Sequence, residues 1–95
     1  MLHRVNNDEV RGPGFWVRLP NNHFVHYIEG DRVATIEYEG GTNKQGQVDF
    51  VVYLSTFRGW LQPHEYDYMT ATKREQVLSR ISRSLDLLGM EHRFV

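Results

Sequence analysis

The sequence predicts a single α+β domain, with an antiparallel sheet of about four strands and one C-terminal helix packed across one face of the sheet. Ninety-five residues fit one domain. Before residue 55, β-rich runs alternate with turn residues, whereas a long helical spacing of apolar residues occurs only from residue 72 onward. We therefore treat residues 1–95 as one domain. We expect residues 1–14 to be irregular, because Arg11-Gly12-Pro13-Gly14 marks a turn.

A hairpin is predicted for residues 23–39, because Gly30-Asp31 is a two-residue loop of the tight hairpin type between two β-rich runs. This loop fixes the register of the two strands, residues 23–29 and 32–39. The face that we expect to be core carries the opposite pairs Glu29/Arg32, Tyr27/Ala34, Val25/Ile36 and His23/Tyr38. The other face carries the pairs Phe24/Glu37, His26/Thr35 and Ile28/Val33. We also expect Glu29 and Arg32 to form a surface ion pair at the tip of the hairpin.

Two further strands are predicted on either side of this hairpin. Residues 15–19 are rich in aromatic and branched side chains and end at the turn Pro20-Asn21-Asn22. Residues 48–54 are the most apolar run, so we expect them to form a central strand. Between the hairpin and that strand, residues 40–47 are predicted to be a flexible polar loop, because glycines lie there among polar residues.

The helix is predicted to begin after Thr72, because Thr72 and Glu75 have the spacing of a capping box. Gly89 has the position of a C-terminal cap. Residues 90–95 are then a tail that adds a short strand or packs on the edge of the sheet. Apolar residues at helical spacing predict a buried stripe, formed by Val77, Leu78, Ile81, Leu85 and Leu88. The opposite side of the helix carries Arg74, Gln76, Arg80 and Arg83.

Composition excludes several classes of protein and partner. The sequence has no cysteine, so no disulfide framework or thiolate chemistry is expected. The longest apolar run, residues 48–54, has seven residues and contains Asp49, whereas a membrane-spanning helix needs about 20. We expect neither a secretory signal nor a membrane partner. The net charge of −1 gives no general attraction to nucleic acid. Residues 29–67 carry seven acidic and three basic groups, which indicates either a solvated acidic face or an acidic surface that meets a basic partner.

No catalytic residue, metal site or cofactor is predicted, and we therefore expect a protein that is not an enzyme. His23 and His26 have a ligand-like spacing, but residues three apart on a strand point to opposite faces. His64-Glu65 lacks the second histidine of an H-E-x-x-H zinc site. Glu37 and Glu39 are about 7 Å apart on one strand face. That separation suits an inverting glycosidase, but an exposed strand face of a small domain offers no cleft.

The densest group of aromatic residues lies in the connection from Ser55 to Tyr68. One interpretation places Trp60 and Tyr66 of this loop in the core, between the helix and the sheet. The other makes the loop a contact surface, because Trp, Tyr and Arg dominate binding hot spots. Both interpretations remain open from the sequence alone.

Several of these features occur together in one known family. The Tyr27-to-Arg32 hairpin leads into a strand that ends in Ile36-Glu37-Tyr38-Glu39, and a later apolar strand leads into the aromatic loop with Trp60 and Pro63. A capped helix and then Gly89 follow. Over about residues 22–95, this order resembles the immunity protein 74 (Imm74) family, small α+β proteins attributed to bacterial polymorphic toxin systems. Residues 12–20 lie outside the resemblance.

The resemblance implies a cytoplasmic protein that binds a cognate toxin and blocks it. The contact residues come from physical reasoning alone, and we predict Arg58, Trp60, His64 and Tyr66 in the loop and Glu37 and Glu39 on the sheet. The acidic pair would suit a toxin with a basic site, such as a nuclease. The alternative function is a general protein-interaction or homo-oligomerising module with no inhibitory role.

Overall fold

The computed structural model describes residues 1–42 and 44–95, which form seven β-strands and one α-helix. The strands are β1 (His3–Asn6), β2 (Glu9–Gly12), β3 (Phe15–Arg18), β4 (Phe24–Glu29), β5 (Arg32–Thr42), β6 (Val48–Tyr53) and β7 (His92–Phe94), and the helix is α1 (Ala71–Leu87). The strands lie side by side in chain order in one sheet, antiparallel except for the last pair. The α+β class with one C-terminal helix is confirmed. The prediction of about four strands is wrong, because the short strands β1, β2 and β7 join the sheet.

Residues 1–14, for which the sequence predicts irregular structure, contain β1 and β2. These strands lack the apolar alternation of a half-buried strand, because every residue of β1 is exposed and β2 fully buries only Val10. A turn at Pro13-Gly14 then joins β2 to β3. A side chain at position 12 would collide with the ring of Phe15, so the tight approach of the two strands requires Gly12.

The β4–β5 hairpin has the register that its two-residue loop predicts. The pairs run from Glu29 opposite Arg32 to Phe24 opposite Glu37. The face predicted to be core is buried at Val25, Tyr27, Ala34, Ile36 and Tyr38. The tight loop therefore determines which side chains enter the core.

β5 continues beyond its predicted end, through Gly40, Gly41 and Thr42. These three residues pair with β6, and Gly40 lies opposite Phe50, whose ring packs against the space that a side chain would fill. The loop predicted for residues 40–47 is therefore wrong for residues 40–42. Asn43, which belongs to the same predicted loop, lies outside the described residues, and residues 44–47 connect to β6.

β6 lies inside the sheet, between β5 and β7, as its apolar sequence predicts. Residues 90–95 take the first of their two predicted forms, because β7 pairs with residues 50–52 of β6. The pairing is parallel, since the chain returns to β6 through the helix. The ring of His92 also contacts the helix, with its Nε2 atom 2.7 Å from the hydroxyl of Ser82.

The helix begins after Thr70, so the prediction of Thr72 as its N-cap is wrong. Thr70 has an extended backbone, and its hydroxyl accepts a hydrogen bond of 3.1 Å from the backbone N–H of Lys73. The sequence Thr-Ala-Thr offers two capping hydroxyls, and the earlier one lengthens the helix by two residues, about half a turn. At the other end Gly89 is the predicted cap, with a φ of +76° that a residue without a side chain adopts without strain.

The helix covers one face of the sheet and closes a single core. Its apolar stripe is confirmed, because Val77, Ile81 and Leu85 are buried while Leu78 and Leu88 pack at the margin. The rest of the core consists of Phe15, Val17, Leu19, Val25, Tyr27, Ala34, Ile36, Tyr38, Val52, Phe57 and Trp60. The opposite face of the sheet is left for solvent or for a partner.

We expect Leu85→Ala to lower the free energy of unfolding by about 2–5 kcal/mol, because it leaves a cavity in this core. Leu87, two residues later, is 41% exposed, and Leu87→Ala should cost no more than about 0.5 kcal/mol. Urea denaturation followed by circular dichroism measures both values. A cost below about 0.5 kcal/mol for Leu85→Ala would show that this side of the helix is not core.

Candidate functional site

The open face of the sheet carries the polar and partly exposed side chains that alternate with the core residues. Its cross-strand rows contain Arg11, Trp16, Ile28 and Val33, then Glu9, Arg18, His26 and Thr35, then Phe24, Glu37 and Tyr53, and then Glu39, Val51 and Arg93. All of these side chains are exposed or partly exposed. The predicted residues Glu37 and Glu39 therefore lie on a broad open surface.

The aromatic loop between β6 and the helix lies along the free edge of β5. β6 pairs only with residues 37–42 of β5, which leaves the first half of β5 without a strand on that side. The loop fills this edge, because Trp60 bridges to Ala34 and the backbone N–H of Leu61 donates to the carbonyl of Val33 at 2.7 Å. The loop is thus an extension of the sheet.

The structure separates the two interpretations of the loop residue by residue. Trp60 is 7% exposed and its ring centroid lies 6.3 Å from that of Tyr27, so it belongs to the core. Tyr66 is 93% exposed and Tyr68 is 78% exposed. The core interpretation is therefore confirmed for Trp60 and wrong for Tyr66. Arg58 is exposed as well, and the exposed residues surround a groove of about 330 Å³ beside Trp60.

His64 fastens this loop to the tip of the β4–β5 hairpin. Its Nε2 atom lies 3.1 Å from a carboxylate oxygen of Asp31, and its Nδ1 atom lies 3.0 Å from one of Asp67. Asp67 also accepts a hydrogen bond of 2.9 Å from Arg32. Hydrogen bonds from Arg32 and then from His64 lower the pKa of the Asp67 carboxyl. We call His64, Asp31, Asp67 and Arg32 the loop clasp.

The ion pair predicted between Glu29 and Arg32 does not form, because each residue has another partner. Arg32 joins the loop clasp, whereas Glu29 points toward the helix. The Glu29 carboxylate accepts hydrogen bonds from Lys73 at 3.1 Å, from Arg80 at 2.9 Å and from the hydroxyl of Tyr27 at 3.1 Å. Although Glu29 and Arg32 are neighbours across the hairpin, each forms its ion pairs with residues that are distant in the sequence.

The cluster around Glu29 connects the helix to the buried side of the sheet. Burial opposes the charge of Glu29, but hydrogen bonds from Lys73, Tyr27 and Arg80 outweigh it and lower the pKa of the carboxyl. Burial raises the pKa of Tyr27 to about 12, so its hydroxyl stays protonated as a donor. Arg80, which the sequence places on the outer side of the helix, lies 4.5 Å over the ring of Phe15.

Glu37 and Glu39 lie further along β5 than the residues that the loop contacts. The backbone N–H of Glu37 donates to the hydroxyl of Thr56 at 2.8 Å. Glu39 accepts a hydrogen bond of 2.9 Å from Tyr53, which raises the pKa of that tyrosine. Within residues 1–42 and 44–95, neither carboxylate has an ion-pair partner. The six predicted contact residues thus form a loop group of four and a separate acidic pair.

The open face also carries a cluster around Trp16 that the sequence does not predict. The ring of Trp16 lies under two guanidinium groups, with Arg11 4.1 Å and Arg18 5.1 Å from its centroid. Its indole N–H donates to Glu9 at 3.2 Å. The alternation of Phe15, Trp16, Val17 and Arg18 places Trp16 and Arg18 on one face, but Arg11 joins them only because β2 is a strand. Burial, and then the charge of Arg18, lower the pKa of nearby His26.

Ser82, His92 and Asp86 have the residue types of a hydrolytic triad, but their geometry indicates a structural role. The Nδ1 atom of His92 lies 2.9 Å from the carbonyl of Met90 and 3.7 Å from Asp86, so the carbonyl is its hydrogen-bond partner. This contact holds β7 against the helix. Among the described residues, no group of three or more His, Asp or Glu side chains has the arrangement of a metal site.

In the described part of the chain, no helix has the length and apolar character to cross a membrane. A family model with the description immunity protein 74 matches residues 21–95. Comparison with curated proteins and with solved structures gives no match. The matched segment begins just after β3, so it contains the loop clasp and the acidic pair but not the Trp16 cluster.

We expect Trp60→Ala to destabilise the protein by about 3–5 kcal/mol, because it removes a large buried side chain. Tyr66→Ala removes an exposed ring from the same loop and should change stability by no more than about 0.5 kcal/mol. Thermal and urea denaturation of the two variants give the comparison. Equal stability of Trp60→Ala and the unchanged protein would contradict the placement of Trp60 in the core.

The cluster around Glu29 should make stability depend on acid. Because the pKa of Glu29 is below its ordinary value of 4.5 in the folded chain, its contribution is complete above that value and is lost as the pH falls through the folded pKa. At neutral pH, Glu29→Gln should cost about 1–3 kcal/mol. The cost should shrink as the pH falls below 4.5. Urea denaturation across this pH range tests both expectations, with the exposed Glu65→Gln as control, and a pH-independent cost would contradict the role of the charge.

Proposed function

The chain belongs to the immunity protein 74 family, and on that premise we propose that it neutralises a cognate toxin in the cytoplasm by forming a complex with it. The match over residues 21–95 is the observation that carries this function. The family description names an immunity protein, and inhibition by binding requires no catalytic step by this chain. The exposed residues of the loop and of the sheet supply contact surfaces of the required kind.

The aromatic loop is the first part of the proposed contact surface. Tyr66 and Arg58 are exposed, and aromatic residues and arginine are enriched among the residues that dominate binding energy. Trp60 supports the loop from beneath, and His64 fastens it to the hairpin through the loop clasp. A loop that is already ordered loses less conformational freedom on binding, and this favours a tight complex.

The acidic pair is the second part of the proposed surface. Glu37 and Glu39 are exposed, and neither has a cationic partner among the described residues. A toxin with a basic site, such as a nuclease, would find complementary charge there. Such complementarity accelerates association and disfavours partners with the wrong charge. We therefore keep Arg58, Trp60, His64, Tyr66, Glu37 and Glu39 as the proposed site, with Trp60 beneath the contact surface.

The experiment is to co-express the chain with candidate toxin domains encoded near its gene, and to measure growth and the affinity of the purified complex. We expect the unchanged chain to restore growth. Tyr66→Ala should weaken the complex by about 2 kcal/mol, or roughly thirtyfold, if Tyr66 is a binding hot spot. Its melting temperature should stay unchanged, because the ring is exposed.

Leu87→Ala is the matched control, because it removes an exposed apolar side chain from the helix, away from the loop. It should bind the toxin as the unchanged chain does. If the unchanged chain neither binds nor neutralises the toxin, the proposed function is wrong. Normal neutralisation with full affinity in Tyr66→Ala would retain the function and remove Tyr66 from the contact surface.

A further inference from the structure

The open face of the sheet carries partly buried apolar side chains as well as two regions of opposite charge. Phe24, Ile28 and Val33 lie in its middle strands, β4 and β5, and each is only partly buried. His26 and Thr35 lie in the row between Phe24 and the pair Ile28/Val33, so the middle of the face mixes apolar and polar side chains, as protein–protein interfaces commonly do. The helix covers the other face of the sheet, so none of the core packing accounts for these side chains.

The first charged region, the basic pole, consists of Arg11, Trp16 and Arg18 on β2 and β3. Glu9 lies 3.7 Å from Arg18 and offsets part of its charge, while Arg11 has no carboxylate partner among the described residues. The two guanidinium groups lie against the Trp16 ring, which restricts their freedom. Tryptophan and arginine held in this way are typical interface anchors.

The second charged region, the acidic pole, consists of Glu37 and Glu39 on β5, with Tyr53 of β6 beside them. Asp49, on the same face, pairs with Arg93 at 3.4 Å, so it does not add to the pole. The basic pole is two strands away, and the register places it toward the opposite end of the strands. The two poles therefore lie diagonally across the face.

We propose that this face is closed by a second copy of the same chain, in a two-fold symmetric dimer. A two-fold axis that lies between two facing sheets and crosses the diagonal brings each basic pole onto the acidic pole of the other copy. Phe24, His26 and Thr35, which lie between the poles, then meet the same residues of the other copy near the axis. Because the poles are diagonal, the strands of the two copies cross at a steep angle, which is one of the two common ways in which sheets pack.

The open face is large enough for a dimer interface of standard size. Seven strands at spacings of about 4.8 Å make the sheet about 29 Å wide, and the whole molecule measures 42 × 27 × 23 Å. A standard interface needs about 800 Å² of accessible surface on each partner. The side chains of a face with these dimensions supply an area of that order.

The dimer and the proposed toxin complex share Glu37 and Glu39. The second copy and the toxin therefore compete for the acidic pole, and the dimer is the form of the free protein. Arg58 and Tyr66 of the loop stay outside the dimer. The dimer itself does not depend on the proposed function and can be tested with the purified chain alone.

The test reverses each pole separately and then mixes the variants. Arg11→Glu with Arg18→Glu gives a chain with two acidic poles, and Glu37→Lys with Glu39→Lys gives a chain with two basic poles. In sedimentation equilibrium at low salt, we expect the unchanged chain to dimerise and each variant alone to have a dissociation constant raised about tenfold or more, because like charges meet. A one-to-one mixture should form a dimer at least as tight as that of the unchanged chain, since each acidic pole of one variant then meets a basic pole of the other.

Glu75→Lys and Arg83→Glu on the outer side of the helix are the matched controls, and both should dimerise normally. Circular dichroism verifies folding, and Arg11→Gln with Arg18→Gln replaces the first variant if reversal prevents folding. A monomeric unchanged chain at millimolar concentration would overturn the dimer. Failure of the mixture to associate would also overturn it. If a monomeric chain loses toxin binding when the basic pole is reversed, the face belongs to the toxin instead.

Discussion

The packing of Tyr27 is the contact on which the rest of the fold depends. Its ring stacks on Phe15 with centroids 5.7 Å apart and lies near Trp60, while its hydroxyl bonds Arg80 and Glu29. One side chain therefore joins the N-terminal strands, the aromatic loop and the helix. Burial of this ring also requires the polar cluster around it, because a buried hydroxyl and a partly buried carboxylate are costly without partners.

The sequence predicts those parts of the fold that local rules determine. The two-residue loop at Gly30-Asp31 sets the whole register of β4 and β5, and helical spacing identifies Val77, Ile81 and Leu85 as core. The exposed strand β1 has no such signature, since its stability comes from pairing with β2. β5 ends later than the sequence predicts because residues 40–42 pair with β6, and the helix begins earlier because Thr70 caps it.

The candidate site was less predictable, because burial and partner choice depend on distant residues. Trp60 and Tyr66 lie six residues apart in the same loop, yet Trp60 fills the core and Tyr66 is exposed. Glu29 and Arg32 face each other across the hairpin, yet Glu29 pairs with Lys73 of the helix and Arg32 pairs with Asp67 of the loop. The Trp16 cluster depends on the pairing of β2 with β3, and the sequence of β2 gives no sign of a strand.

The measurement that tests the central claim most directly is purification of the tagged chain from its native cell lysate, with its partners identified by mass spectrometry. If the chain is an immunity protein, the purification should recover one stoichiometric partner that carries a toxin domain, and the purified complex should lack that toxin's activity. Recovery of the tagged chain alone, as a monomer or as a dimer, would contradict a neutralising complex as its function.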